Sequence, residues 1–497
     1  MILTDPRKLF RGAAGDSFLL TLVRIVTLAL GIVTTRIMSG YFSLHDYGTY
    51  STVMLLTNSV SSITILGMMD GLNFFFCREK DPVKKNEYVA TIFSIQYFIG
   101  IVAAAVVLIC AVPISNYFGN SDVKGLLIFA AILPVLQNSI SLLQIMFVAI
   151  GKAKHIAVRN LVVSILKLCA IIAACCLVSN IIFVLICQVI TDTLQILYFH
   201  MVLKKSGCSI PFFRFNRFLV KEIVFYCIPI AMSTIVRSLY RDCDKYVISY
   251  FTDSETLAVY TNASKQLPFD LVMSSFCTVL LPYLTKYISE KRYKQALSLY
   301  RAFLELSFIT TSILAIGAIC AAPELMRFLY TGKYTQASYS VPVFILYIAV
   351  DIFVVFTITL LLSASGKTLQ IMLVSAGTFA LNIILDIVLF VHMKEIGPAL
   401  ATLITTVLQG MILLSLSAKQ LQATASSFFE LKYYASFILK SAVFALLAGL
   451  VRNALIGLNL NYFLVLCIVS AMYCLPMIAI SYKRIKEDIK SINEYQL

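Results

Sequence analysis

Long apolar runs separated by short polar turns make up most of the chain. Each run approaches the roughly 20 residues that a helix needs to cross the hydrocarbon core of a membrane. Because the apolar positions are continuous rather than alternating, the pattern predicts membrane-spanning helices and not the strands of a barrel. We place fourteen spans near residues 17–38, 48–72, 88–112, 123–150, 156–178, 181–203, 219–250, 257–281, 302–322, 341–364, 369–391, 396–418, 433–452 and 461–482.

The composition agrees with this pattern. Hydrophobic residues make up 60% of the chain and charged residues 13%, with a mean hydropathy of +0.89. Soluble domains average about 45–50% apolar and 25% charged residues, so a soluble fold is excluded. The net charge of +15 lies mainly in loops, and no soluble basic domain is present, so we expect no nucleic-acid partner.

The loops differ in charge from one side of the predicted membrane to the other. Lys and Arg are concentrated at the N-terminus, in alternate loops and in the C-terminal tail, while the opposite loops carry few. By the positive-inside rule, both termini lie in the cytoplasm. We therefore expect a multi-pass protein of the cytoplasmic membrane.

The sequence also contains a repeat. The basic turn at Gly151-Lys152 recurs at Gly366-Lys367, about 215 residues later. Two parallel six-helix halves follow, and such repeats are typical of transporters with a substrate path at their interface. We predict an all-α membrane protein with two six-helix bundles related by a pseudo-two-fold axis, and two extra helices. The predicted domains are residues 1–205, 206–420 and 421–497.

Charges within the spans are the strongest functional signal, because each costs about 2.5–3.5 kcal/mol on insertion scales. Arg237, Arg241 and Lys245 are four residues apart and share one face of the seventh span, with Asp244 beside them. They are candidates to bind phosphate or carboxylate groups in a hydrated cavity. The alternative is that the seventh span is shifted and these side chains snorkel to the membrane surface.

Further embedded polar residues extend the candidate site. The first span carries Arg24 and Arg36, and Lys265 lies in the eighth. In the eleventh span Asn382 and Asp386 are four residues apart, and Thr402 lies in the next span. Such hard oxygen ligands suit a small cation; the alternative is a hydrogen-bonded clamp between neighbouring helices.

Short motifs, in their order along the chain, resemble polysaccharide flippases of the multidrug/oligosaccharidyl-lipid/polysaccharide exporter superfamily. They are Thr35-Arg36, Tyr47-Gly48-x-Tyr50, Asp244-Lys245-Tyr246 before Tyr260, Leu280-Leu281-Pro282 and Gly332-Lys333-Tyr334. The resemblance covers nearly the whole chain. It implies two six-helix bundles arranged as a V, alternating access, and undecaprenyl-diphosphate-linked sugars as the class of substrate. It also implies a groove for the lipid tail formed by the last two helices.

The related lipid II flippases differ at one informative position. They carry an arginine where this chain has Ala263, with Lys265 as a candidate substitute. The spacing of Asn382, Asp386 and Thr402 is similar to a sodium site of that group, but the acidic partner on the seventh helix has no clear match. The similar spacing makes sodium the candidate cofactor.

We expect a monomeric flippase for an anionic lipid-linked oligosaccharide of capsular, O-antigen-like or teichoic type, surrounded by membrane lipids. A glycan polymerase or glycosyltransferases are candidate partners. The first alternative is a cation-coupled multidrug exporter of the same superfamily, which predicts acidic cavity residues. The second is a membrane glycan polymerase, which needs acid–base groups in an outer loop, where the longest segment, 323–340, carries Glu324. We expect no catalytic residues.

Overall fold

The structure is a computed structural model that describes residue 23 and residues 26–150, 153–178, 180–205, 216–265, 267, 269 and 271–494. Arg24 lies outside the described residues. Within the described ranges every regular element is helical, as the apolar pattern predicts. The all-α fold class is therefore confirmed.

The first ten helices run to residue 251. They are α1 (Val26–Tyr41), α2 (Leu44–Thr64), α3 (Met68–Arg78), α4 (Pro82–Ile109), α5 (Ala111–Tyr117), α6 (Asp122–Ala130), α7 (Leu133–Ala149), α8 (Ala153–Ala173), α9 (Ile181–Lys205) and α10 (Arg217–Phe251). The next ten are α11 (Ser254–Ala263), α12 (Leu271–Ser289), α13 (Tyr293–Cys320), α14 (Ala322–Tyr330), α15 (Ser340–Val354), α16 (Leu360–Ala364), α17 (Thr368–Met393), α18 (Ile396–Gln420), α19 (Leu431–Gly457) and α20 (Tyr462–Glu494).

Helices occur at all fourteen predicted positions. Among the described residues, twelve helical stretches are long and apolar enough to cross a membrane, and α1 is a shorter apolar helix. The predicted eighth span corresponds to α11 and α12, which are separate helices. The predicted seventh span is α10, a single 35-residue helix with Pro229 in its interior.

Local signals explain where several helices begin and break. Ser43 caps α2 by accepting a hydrogen bond from the Asp46 amide at 3.0 Å. Asp81 caps α4 in the same way, at 3.0 Å from the Val83 amide. Between α2 and α3, Gly67 has a φ of +69°, which breaks the predicted continuous helix.

The described chain divides into two compact units. The first contains Met1–Asp242 and Ser249–Ala258, and the second contains Cys243–Ile248 and Val259–Leu497, so α10 contributes residues to both. Each has its own buried core: Phe93 and Phe147 belong to the first, and Phe303 and Tyr473 to the second. The domain limits at residues 205 and 420, and the symmetry axis, remain predictions.

Candidate functional site

The charged face of α10 is the starting point. Arg237 and Arg241 are exposed, and Lys245 is half-buried. Arg241 Nε lies 3.5 Å from Asp242 Oδ2, and the Asp242 side chain is only 10% exposed. Arg241 is ten residues from the end of α10 at Phe251, which is about 15 Å along the helix.

Arg241 lines a polar cavity of about 410 Å³ in the first unit. The cavity is lined by Leu55, Asn58, Ser61, Ser62, Gln137, Arg241 and Asp242. Its size falls within the range of about 300–1,000 Å³ that is usual for small-molecule pockets. A polar cavity between the helices of a membrane protein is a candidate substrate site.

Hydrogen bonds between α2 and α7 shape this cavity. Ser61 Oγ donates to Asn138 Oδ1 at 2.7 Å, and Asn138 Nδ2 donates to Thr64 Oγ1 at 2.9 Å. Because these bonds fix the rotation of the two helices about their axes, the neighbouring Gln137 is directed into the cavity. Asn58, Ser62 and Gln137 are the residues that the sequence analysis missed. Uncharged polar side chains in apolar helices give no signal that separates cavity lining from helix packing.

The other predicted cations lie elsewhere. Arg36 is half-buried on α1, and Lys265 is exposed after the end of α11. Neither belongs to the residues that line the described cavity. Their assignment to a substrate site remains a prediction, as does that of Arg24.

Asp244 belongs to a buried cluster in the second unit. Its side chain is 1% exposed, and Tyr260 donates a hydrogen bond to Asp244 Oδ2 at 2.9 Å. The Tyr347 hydroxyl also donates to Asp244 Oδ2. The Thr402 side chain lies near Tyr347. The structure therefore brings Asp244 and Thr402 to one tyrosine.

Asn382 and Asp386 are fully buried on α17 beside this cluster. Cys243 Sγ lies 3.0 Å from Asn382 Oδ1 and 2.9 Å from Asp386 Oδ2. Asn382 Nδ2 donates to Asp386 Oδ1 at 3.3 Å. Asp244 is also within electrostatic range of Asp386, so α10 places an acid near the candidate cation ligands. Sequence alone did not identify Asp244 as the acidic partner on the seventh helix.

Two of these oxygen atoms are of the type that a small hard cation prefers. One amide oxygen and one carboxylate oxygen converge on a common point, which the Cys243 thiol occupies. Sulfur is a poor ligand for such a cation, which prefers oxygen. Binding would therefore require the thiol to rotate away. In the described part of the chain, no three His, Cys, Asp or Glu side chains form a group that could hold a metal.

The Tyr47-Gly48-x-Tyr50 motif lies at a close contact between α2 and α11, which we call the α2–α11 contact. Asn120 Nδ2 donates to Thr49 Oγ1 and to Ser254 Oγ, both at 2.8 Å. A Cβ atom at Gly48 would lie 2.2 Å from the Ser254 backbone oxygen. Position 48 must therefore be glycine for the two helices to approach this closely.

Solved structures share this fold. Lipid II flippase MurJ in an inward closed conformation matches with a TM-score of 0.73 at 18% identity, over 94% of this chain and 99% of that one. An inward-facing multidrug resistance MATE family transporter of the MOP superfamily matches with a TM-score of 0.66 at 9% identity, over 80% and 94%. A MOP superfamily transporter from Pyrococcus furiosus, described as having a binding pocket of reverse polarity, matches with a TM-score of 0.57 at 12% identity, over 84% and 96%.

The sequence comparisons add the family. No curated protein matches the chain in sequence. The sequence profile described as "Polysaccharide biosynthesis protein" matches residues 36–339, which is more than half of the chain. This region includes the charged face of α10 and the residues that line the cavity. The chain, a multi-pass membrane protein with the fold of the MOP superfamily, therefore belongs to the polysaccharide biosynthesis protein family.

Proposed function

We propose that the protein moves an undecaprenyl-diphosphate-linked anionic oligosaccharide across the cytoplasmic membrane. The observation that carries this proposal is the cavity that Arg241 lines, because it combines a cation with hydrogen-bonding side chains between helices of a membrane protein. The family of the chain and the fold that it shares with a lipid II flippase support a lipid-linked glycan as the cargo.

The position of Arg241 within α10 and its neighbours favour a cavity over a surface anchor. A snorkelling arginine extends from the end of a helix toward the membrane surface. Arg241 instead lies about 15 Å from the end of α10, among side chains of α2 and α7. Arg24, Arg36, Arg237, Arg241 and Lys245 are the residues that we assign to the diphosphate and the acidic sugars.

Transport of this kind needs no covalent chemistry. The cargo shifts the balance between inward-open and outward-open states by binding one of them more tightly than the other. Guanidinium groups serve well here because their planar fork donates two hydrogen bonds to a phosphate or carboxylate. Glycosyltransferases that build the lipid-linked cargo and a polymerase that consumes it are the partners we propose, with the protein acting as a monomer.

The two alternatives have less support. A multidrug exporter for cations needs free acidic groups in its cavity, whereas Asp242, the acid that lines the cavity described above, pairs with Arg241. A glycan polymerase needs an acid–base group in an outer loop. Glu324 accepts two hydrogen bonds from Arg452, at 2.8 and 2.9 Å, so its carboxylate is engaged in an ion pair.

Replacing Arg241 with alanine tests the proposal in cells. We expect Arg241→Ala to abolish complementation of a flippase-deficient strain, because it removes both the bidentate donor and the ion pair with Asp242. Arg241→Lys should restore complementation in part, since it returns the charge without the planar fork. Colony survival or surface glycan is the readout.

Arg217→Ala is the matched control, because Arg217 is exposed at the first residue of the same helix. This variant should complement as the wild type does. Normal glycan export by correctly inserted Arg241→Ala protein would refute the assignment of Arg241 to the cargo.

We also propose that sodium drives the cycle, held by Asn382, Asp386 and Thr402. Asp386→Asn should weaken any sodium dependence of transport while leaving expression intact, because it removes the charged oxygen ligand. Cys243→Ala should have the opposite effect, because it clears the point between the two oxygen atoms. A sodium response unchanged in both variants would leave the cluster as a clamp between helices.

A further inference from the structure

Part of the cavity is lined by uncharged polar side chains. Asn58, Ser62 and Gln137 line it with two carboxamide groups and one hydroxyl. Among the residues that the structure describes, these three side chains make no hydrogen bond to another protein group. Gln137 lies near the middle of the 28-residue span Asp122–Ala149. Their donors and acceptors are therefore available to whatever enters the cavity.

The charge of the lining is balanced. It holds one cation, Arg241, and one anion, Asp242, 3.5 Å apart. A diphosphate buried away from water requires an excess of positive charge. The lining provides none, because Asp242 offsets the charge of Arg241. The cavity is therefore poorly matched to the diphosphate of the cargo.

Sugar hydroxyl and acetamido groups match these side chains well. Each carboxamide offers two donors and one acceptor oxygen, and the serine hydroxyl offers a donor and an acceptor. A sugar ring presents the same mixture of donors and acceptors around its edge. A site built to hydrogen-bond such groups discriminates strongly against a ligand that lacks them, because its own polar groups are then left unpaired.

We infer that this cavity binds an uncharged sugar ring of the cargo through Asn58, Ser62 and Gln137, and that the diphosphate is held by cations outside it. The inference rests on the proposed function, since it assigns one part of the lipid-linked glycan to one site. Of the cations assigned to the cargo, Arg241 then donates hydrogen bonds to the sugar ring, while its charge is balanced by Asp242.

The test compares two probes on the purified full-length protein in nanodiscs. One probe is farnesyl diphosphate, and the other is the same lipid diphosphate carrying one N-acetylhexosamine. Wild-type protein should bind the sugar-bearing probe at least about ten-fold more tightly. Because each lost hydrogen bond contributes roughly 0.5–1.5 kcal/mol, Asn58→Leu and Gln137→Leu should each lower that ratio by about two- to ten-fold. Affinity for farnesyl diphosphate should stay unchanged in both variants.

Gln144→Leu is the matched control. Gln144 lies on α7 two turns after Gln137, on the same face, but outside the cavity lining. It should keep the wild-type ratio. Equal binding of the two probes by the wild type, or an equal loss of both affinities in the leucine variants, would overturn the inference. Failure of the wild type to flip any lipid-linked glycan would instead refute the proposed function, which the binding ratio does not measure.

Discussion

Gly48→Ala is expected to reduce transport by more than ten-fold and to lower thermal stability. The new Cβ atom would lie 2.2 Å from the Ser254 backbone oxygen and 2.8 Å from its carbonyl carbon. Backbone atoms have no rotamer with which to move aside, so the α2–α11 contact must open. Overpacking of this kind costs about 1–3 kcal/mol, and it also weakens the hydrogen bonds of Asn120. Transport rate and melting temperature are the measurements.

Gly125→Ala is the control for this prediction. Gly125 lies in α6, and a Cβ atom there would meet nothing within 4 Å. Alanine has the higher helix propensity, so this variant should be as stable as the wild type or slightly more so. If Gly48→Ala behaves like Gly125→Ala in both measurements, the α2–α11 contact is not as tight as the structure shows.

Arg484→Ala is expected to cause the largest loss of stability. Glu305 on α13 is 1% exposed, and Arg484 on α20 donates to both of its carboxylate oxygens, at 2.5 and 2.8 Å. Removing the arginine leaves a buried carboxylate without its partner, which costs about 3–5 kcal/mol. The same arginine also reaches Glu430 at 2.8 Å. The melting temperature of purified protein measures the effect.

Arg292→Ala provides the matched control, because Arg292 and Glu290 form an exposed ion pair at 3.0 Å. Exposed pairs contribute about 0–1 kcal/mol, so little change is expected. The double variant Glu305→Met with Arg484→Met should recover part of the lost stability, since it removes both charges together. Equal melting temperatures for Arg484→Ala and Arg292→Ala would contradict the importance of the buried pair.

The number and order of the helices could be predicted because hydropathy and length determine which segments cross a membrane. The break between α2 and α3 could not, since it depends on the left-handed backbone at Gly67 and on its packing. A Cβ atom at Gly67 would lie 2.8 Å from the Cys227 backbone oxygen. Such a contact joins segments 160 residues apart, and no local pattern reports it. The contact between Ser254 and Gly48 is also invisible in the local sequence. It explains why the Tyr47-Gly48-x-Tyr50 motif has a glycine at position 48.

Only the charged residues of the candidate site could be predicted from the sequence. Arg241 stood out because a charge in an apolar helix is costly and therefore informative. Its uncharged neighbours could not be recognised from the sequence. Gln137 and Asn138 show the reason. Asn138 is buried and bonds to α2, while Gln137 lines the cavity. The two adjacent residues have the same functional group, and only the rotation of α7 separates a packing role from a cavity role.

Reconstitution tests most directly whether the cargo is an anionic lipid-linked glycan. Purified protein in proteoliposomes would be given an undecaprenyl-diphosphate-linked acidic oligosaccharide in one leaflet, and its appearance in the other leaflet would be followed by accessibility to an added enzyme. We predict movement of this lipid with wild-type protein, and none with Arg241→Ala protein or with empty vesicles. Vesicles that transport organic cations but leave the lipid-linked glycan in its original leaflet would contradict the account and identify a drug exporter instead.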